Sequence, residues 1–408
     1  MMNQEKERKI VHLDLDSFFV SVERLHNSKL QGKPVLIGGT SSRGVVASCS
    51  YEARKFGIHS AMPMHQAKRM CPEAVVIKGN SAVYSKYSDI VTSIIQDSVP
   101  LFEKASIDEF YADLTGIDRF FGCRKFTDEL RTKIIKESGL PISFGLSINK
   151  TVSKVATGEA KPNNRIHISE GGEKCFLAPL SVRKLPGVGI QSYQSLRNLG
   201  VKQIKTLQQL PPELLRQVFG KNGVKMWKKA NGIDLTPVQP YSERKSISTE
   251  RTFHKDTTDV PKLKSLFTAM AENLCFQLRR GKKLTGCASI KVRYTDYQTE
   301  TIQKKIPYTA ADHILIPVIQ ELFKKVYQRR VMVRLIGVKF NKLVSGGHQI
   351  NMFEDSERIL NLYTAIDNIR ERYGDRAVVR AAGQGAKTIG RSNPFNGSSP
   401  LLLANRHI

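Results

Sequence analysis

Two short runs place acidic residues where a folded chain must account for them. In His12-Leu-Asp14-Leu-Asp16-Ser-Phe18-Phe19, the period of two puts Asp14 and Asp16 on one face at the end of an apolar strand. Carboxylates so placed repel unless a cation or a donor compensates. Asp16 or Ser17 could instead cap the helix that follows, an explanation that does not extend to Asp14 inside the strand. In Ser106-Ile-Asp108-Glu109-Phe110 the acids are adjacent, so they reach one site only at a turn or bulge. Alone, such a pair is ordinary solvated surface. With Asp14 it offers three hard oxygen donors that suit Mg²⁺, which takes carboxylates together with water and substrate phosphates. That ligand set serves two-metal chemistry at phosphorus.

Other groups fit the same chemistry. Ser48-Cys-Ser-Tyr51-Glu-Ala-Arg54-Lys55 sets Tyr51 and Arg54 three apart on one helix face. With Lys161 of Ala160-Lys-Pro-Asn163 they could clamp a triphosphate, although each cation taken singly is a solvated side chain. Leu185-Pro-Gly187-Val-Gly189 lies between helical patterns and resembles the hairpin of a helix-hairpin-helix element. Its glycines would let backbone N–H groups approach a phosphate without reading a base; a plain glycine turn is the alternative.

Local patterns supply the elements that would position these residues. Ile10, Val11, Leu13 and Leu15 predict a short buried strand and Phe18–His26 a helix. Strands at Pro34–Ile37 and Val45–Ser48 and short helices at Tyr51–Phe56 and Pro63–Met70 follow. A helix (Ala82–Asp97), a hairpin around Ser106–Phe110, a helix (Arg119–Glu137), a strand (Ile142–Leu146) and a helix (Asn149–Ala160) complete an α+β layer. From Gly171 to Ile233 the chain reads as all-helical, with Pro211-Pro212 starting one helix. Asp234 to Glu243, with two prolines and no apolar period, predicts a linker. Strands at Ile290–Tyr294 and Val331–Phe340 with helices at Val260–Arg280 and Ala311–Arg329 predict a second α+β module. A helix from Ser356 to Tyr373 is expected, and Gly383–Pro400 is expected to be disordered.

Composition narrows the partner. The 408 residues carry a formal charge of +27, far more than solubility needs and suited to a polyanion. Residues 241–350 hold 21 Lys and Arg against nine Asp and Glu, which makes that module the best candidate for a DNA-gripping surface. There is no apolar run long enough to span a bilayer and no apolar signal core near the N-terminus, so a cytoplasmic, nucleoid-associated protein without a membrane partner is expected. The six cysteines form no C-x-x-C pair and are expected to be reduced packing residues rather than a zinc knuckle or disulfide framework.

Taken in order, Asp14-x-Asp-x-Phe-Phe, Ser48-x-x-Tyr-x-Ala-Arg54-Lys-Phe-Gly, Ser106-x-Asp-Glu, Ala160-Lys-Pro-Asn and Pro186-Gly-Val-Gly resemble the motifs of Y-family translesion DNA polymerases, in particular the DNA polymerase IV branch. The resemblance runs from about residue 9 to residue 353. It implies an α+β multidomain right hand: a ferredoxin-like palm (1–20 and 80–170), small fingers (21–79), a helix-hairpin-helix thumb (171–238), a linker (239–242) and an α+β little finger (243–345). A clamp-binding motif (346–355) and a partly disordered extension (356–408) of unassigned role would follow. It implies error-prone, template-directed addition of dNTPs to a primer 3′-OH by two Mg²⁺ ions, past damaged template bases and without a proofreading nuclease.

By the same resemblance, Asp14, Asp108 and Glu109 are the catalytic metal ligands, with the backbone carbonyl of Leu15. Phe18, Phe19, Ser48, Tyr51, Arg54 and Lys161 bind the nucleotide. Phe19 stands at the steric gate against a ribose 2′-OH, with core packing as its alternative, and Val46 and Ser48 are the small roof residues. Gly187, Gly189, Arg244, Lys245 and Arg251 contact primed template DNA. Gln349-Ile-Asn-Met352-Phe353 resembles the peptide by which bacterial polymerases hold the sliding clamp, with Gln349, Met352 and Phe353 as its anchors, and the chain is expected to act as a monomer. Two positions depart from the pattern: Ile190 stands where relatives often have Lys, and Asn164 where Gly is common. A nucleotide cyclase would share the carboxylates but not the hairpin, the basic module or the clamp peptide. A clamp-recruited DNA-binding protein without activity would not need the intact acidic triad.

Overall fold

The computed structural model describes residues 8–41, 43–117, 122–240, 243–329, 331–346, 356–374 and 377–384. Residues 8–240 belong to one compact unit and 243–384 to a second.

In the first unit, β1 (Ile10–Leu15) is apolar at most positions and buried on both faces, so it has to be a central strand. After α1 (Phe18–His26) the chain builds a small layer from β2 (Val35–Gly38), β3 (Val46–Cys49), α2 (Tyr51–Arg54), α3 (Met64–Met70) and β4 (Val75–Ile77). Its sheet runs β3-β2-β4, over a core that includes Leu36, Val46, Cys49, Ala53 and Met64. The chain then returns through α4 (Ser81–Ser98), β5 (Phe102–Lys104), β6 (Glu109–Asp113), α5 (Cys123–Ser138), β7 (Ile142–Ser147), α6 (Lys150–Ala160) and β8 (Arg165–His167). These complete a five-stranded sheet in the order β5-β6-β1-β7-β8. Side chains of α4 and α5 share one core with Leu13, Leu15 and Phe144. Helix α6 lies on β1 and β7, so closely that a Cβ on Gly145 would sit 2.3 Å from the Ser153 carbonyl oxygen.

Helices α7 (Glu173–Leu177), α8 (Ile190–Asn198), α9 (Ile204–Gln209), α10 (Pro212–Phe219) and α11 (Lys221–Ala230) follow, around Leu177, Val182, Leu185, Leu196 and Leu215. Pro212 opens α10, where its missing N–H costs nothing. The segment expected to be a free linker has no helix or strand at 233–240, but it is fastened down. Thr151 donates to Asp234 (2.6 Å) and the Gln239 N–H to Glu103 (2.8 Å). Val238 is buried against Ile10 and Tyr111. Composition predicts looseness; one apolar side chain and two carboxylates decide otherwise.

The second unit contains β9 (Ser246–Thr257), α12 (Val260–Arg280), β10 (Lys283–Tyr294), β11 (Thr299–Thr309), α13 (Asp312–Val326), β12 (Val333–Ser345) and α14 (Ser356–Tyr373). Its sheet runs β11-β10-β12-β9, and α12 and α13 supply the other half of the core, with Phe267 and Phe323 5.0 Å apart between centroids. Sequence patterns miss β9 and β11, which are the two edge strands. An edge strand keeps polar residues on its open side, which blurs the apolar signal.

Helix α14 and the turn Ala381–Gly383 bind the helical layer through charge. Arg279 makes a paired contact with Asp367 (2.6 and 2.8 Å), reaches Asp312 at 2.7 Å and lies 4.6 Å over the Tyr363 ring. Buried Glu272 accepts from the Arg380 N–H at 3.1 Å and faces the Arg370 guanidinium at 3.7 Å. Gly383, at the start of the stretch expected to be disordered, is packed beside that carboxylate; residues 385–400 lie outside the described set.

Candidate active site

The register of the first sheet brings the acidic residues together. Asp14 is the cross-strand partner of Glu109, so both side chains project from one face. The Leu15 N–H donates to the Asp108 carbonyl at 3.0 Å, which ties the connection between β5 and β6 to the end of β1. The adjacent acids reach one site because Asp108 lies in that turn while Glu109 begins β6. The Ser106 hydroxyl bonds the Asp108 carboxylate at 2.6 Å and also accepts the Glu109 N–H at 3.1 Å.

The same face is the one α6 covers, and lysines from that side meet the acids. Lys154 Nζ lies 2.6 Å from Glu109 Oε2, and Lys161 Nζ 2.5 Å from Asp14 Oδ1. Burial raises the Asp14 carboxyl to about 7; the Lys161 ammonium opposes the shift, and Glu109 and Asp108 add to it. An anion in this position demands a cation. Among the described residues no three ligating side chains already stand close enough to hold a metal ion, and Glu109 and Asp108 are engaged by Lys154 and Ser106. The donor set nevertheless fits divalent cations: hard oxygens on adjacent strands, with ammonium groups as their present counter-charges.

A cavity of about 120 Å³ opens beside the acids, lined in part by Phe18, Phe19, Ser48, Arg54, Asp108 and Lys161. Ala47 also lines it, whereas Val46 is 1% exposed in the small β-layer core. Val46, expected as a small roof residue, therefore does not line the cavity, while Ala47 and Ser48 do. Phe19 stacks on Tyr84 at 4.4 Å between centroids and 15° between planes, and Tyr84 donates to Glu23 at 2.6 Å. Nothing in the local sequence marks Tyr84; only the return of α4 beside α1 brings it there.

Tyr51 and Arg54 share a helix face as expected, with the Arg54 guanidinium 4.8 Å over the Tyr51 ring. The hydroxyl of Tyr51, however, donates to Asp16 at 3.0 Å. Asp16 lies one residue past the end of β1, yet its carboxylate stays on the Asp14 side, where the hydroxyl of Ser143, the cross-strand partner of Asp14, donates to it at 2.8 Å and Lys161 Nζ stands 4.0 Å away. Neither Asp16 nor Ser17 caps α1: Ser17 is left-handed at φ 42° with no side-chain cap bond.

Gly187 has φ +100°, a conformation that needs glycine, while Gly189 is extended at the start of α8; a Cβ at either would meet open space. The backbone of this hairpin is thus bare to an approaching group, and Ile190 beside it is 69% exposed. In the second unit, Arg244 and Lys245 precede β9. Arg251 pairs with Ile336 and so shares the sheet face of Ile336 and Val292, which the helices cover. The opposite face carries Lys291, Arg293, Lys305 and Lys339 by register, a set to which the sequence patterns assign no role. Gln349, Met352 and Phe353 lie outside the described residues. Five of the six free cysteines are buried, and among the described residues no helix is long and apolar enough to cross a membrane.

Residues 13–158 match the model of the impB/mucB/samB family and residues 244–352 that of its C-terminal domain. Residues 183–234 match the DNA polymerase-iota thumb domain. The chain is 36% identical over 381 residues to DNA polymerase IV of Dehalococcoides mccartyi strain BAV1, covering 91% of this chain and 96% of that one. It is 35% identical over 384 residues to DNA polymerase IV of Desulfatibacillum aliphaticivorans, covering 92% and 97%. A solved Y-family DNA polymerase chimera superposes with a TM-score of 0.74 at 24% identity, covering 83% of this chain and all of the other.

Proposed function

Since the chain belongs to the impB/mucB/samB family of Y-family DNA polymerases, we propose that Asp14, Asp108, Glu109 and the Leu15 carbonyl form its metal site and Arg54 and Lys161 its triphosphate site. The chain is a translesion DNA polymerase, a nucleotidyltransferase that extends primers on a DNA template, and two-metal chemistry is typical of such enzymes. The observation that carries the site assignment is the register of Asp14 against Glu109 with Lys161 on Asp14, at the edge of one small cavity. When bound, the ions, which we take to be Mg²⁺, neutralise charge on the triphosphate and favour ionisation of the primer 3′-OH.

The chain's own groups then have separable tasks. Lys161 gives up Asp14 for a phosphate oxygen, and Arg54 approaches the same phosphates from α2. Tyr51 orients Arg54 through its ring. Phe18 and Phe19 floor the sugar and base, while Ala47 and Ser48 leave room above the nascent pair for damaged bases. Lys161→Ala should raise the KM for dNTP about tenfold, the worth of one charge-assisted contact, while kcat changes less. Single-nucleotide insertion on primed DNA measures both, and an unaltered KM would remove Lys161 from the triphosphate site.

We assign the palm to residues 1–20 and 80–170, the fingers to 21–79, the thumb to 171–238 and the little finger to 243–345. The Gly187–Gly189 hairpin, Arg244, Lys245 and the open-face cations of the second unit are our DNA contacts; Arg251 is left out because of its face. Replacing Lys305 and Lys339 together by alanine should weaken DNA of any sequence alike and flatten the plot of log Kd against log salt by about 1 to 2. An unchanged slope would clear these lysines of phosphate contact. The family's relation to a sliding clamp points to Gln349, Met352 and Phe353 as the tether. Phe353→Ala should abolish the gain in processivity from added bacterial clamp and leave extension without clamp intact, and a full gain in the variant would end that assignment.

A further inference from the structure

We propose that Asp16 is a positioning residue whose buried carboxylate joins the turn after β1 to Tyr51 and to the Lys161–Asn163 loop, holding the two halves of the triphosphate site in register. This rests on the triphosphate reading above. Asp16 is 2% exposed, and its oxygens accept from three separate parts of the fold. The Tyr51 hydroxyl donates to Oδ1 at 3.0 Å, and the Ser143 hydroxyl and the Asn163 N–H donate to Oδ2, each at 2.8 Å. Lys161 Nζ stands 4.0 Å from Oδ1, against 2.5 Å from Asp14, so the ammonium belongs chiefly to Asp14 and Asp16 works through neutral donors.

The backbone of Asp16 is itself fixed. Its N–H donates to the Pro141 carbonyl at 2.9 Å and its carbonyl accepts the Ser21 hydroxyl at 2.6 Å. A helix cap would engage the first turn of α1 instead, and a solvated acid would engage nothing. Tyr51 has one phenolic proton; directed at Asp16, it sets the ring on which the Arg54 guanidinium lies. The Asn163 N–H, two residues beyond Lys161, fixes the loop that presents the ammonium. One carboxylate therefore governs where both phosphate-binding cations stand, although it would touch no phosphate.

The test is single-nucleotide insertion by the full chain with Mg²⁺ at saturating primed DNA, with DNA binding and thermal unfolding measured alongside. Asp16→Ala should raise the KM for dNTP about tenfold, as expected for loss of a polar cluster with charged members. Its kcat should stay within about threefold and its DNA affinity should not change. Asp16→Asn keeps an acceptor for Ser143 and Asn163, and the Tyr51 hydroxyl can turn to accept from the amide; its KM should stay within about threefold of native. A folded Asp16→Ala with native KM, a loss confined to kcat, or equal KM increases in both variants would overturn the inference. If Asp16→Ala does not fold, Asp16→Glu replaces it: the charge stays and the acceptor moves by a methylene. A larger KM rise for Glu than for Asn supports positioning, and an equal or smaller rise overturns it. Lys161→Ala separates the two readings. No KM change there defeats the triphosphate site, whereas a KM change there with none in Asp16→Ala defeats only the role of Asp16.

Discussion

Asp108→Ala combined with Glu109→Ala should lower primer extension by at least about 10⁴-fold, because charge neutralisation and positioning supply most of the catalysis in phosphoryl transfer. Of the three acids only Asp14 would remain, with Lys161 on it at 2.5 Å. Burial, the main cause that raises Asp14 to about 7, would remain, but the two like charges that add to it would be gone. Lys154 would lose the Glu109 partner it holds at 2.6 Å. That pair is about one-third exposed, so its loss should affect stability little. Thermal unfolding close to native would therefore accompany the loss of activity. Residual extension above about one per cent by a folded double variant would mean that the ions are held elsewhere.

Phe19→Ala should admit ribonucleotides, lowering the preference for dNTP over rNTP in kcat/KM by about 10² to 10³, since rejection by clash disappears when the clashing group is removed. The ring is not free to withdraw on its own, for Tyr84 lies flat against it and is in turn anchored to Glu23. That backing is what would turn an aromatic side chain into a barrier. If Phe19 served packing alone, truncation would lower the unfolding temperature and leave sugar selection untouched. Comparing insertion of one dNTP and its ribonucleotide by the same variant distinguishes these outcomes directly.

The acids, the shared helix face of Tyr51 and Arg54, and the glycine hairpin are all legible in the amino-acid sequence, because each depends on short-range spacing. The pair Asp108 and Glu109 is adjacent in sequence and falls in a turn; the hairpin needs glycine at a positive φ. Local patterns mislead where a neighbour from elsewhere in the chain matters. Val46 has the size expected of a roof residue, but it packs into the core of the β3-β2-β4 layer. Arg251 has the charge of a DNA contact, but pairing with Ile336 sets its face. The stretch at 234–240 has the composition of a loose linker, but Val238 packs on Ile10 and Tyr111.

Sequence by itself determined the family, the mixed α+β character, the acidic set and the basic second module, since motif order, local periodicity and net charge need no partner to be read. Tertiary structure alone decided which lysine meets which acid, that Tyr84 backs Phe19, and that Asp16 serves Tyr51 and Asn163 instead of a helix end. It also decided that Arg279 clasps Asp367 from a helix 88 residues away. The physical reason is the same in each case. A buried charge or ring is settled by the groups that desolvate and satisfy it, and these come from segments distant in sequence whose approach no local pattern records.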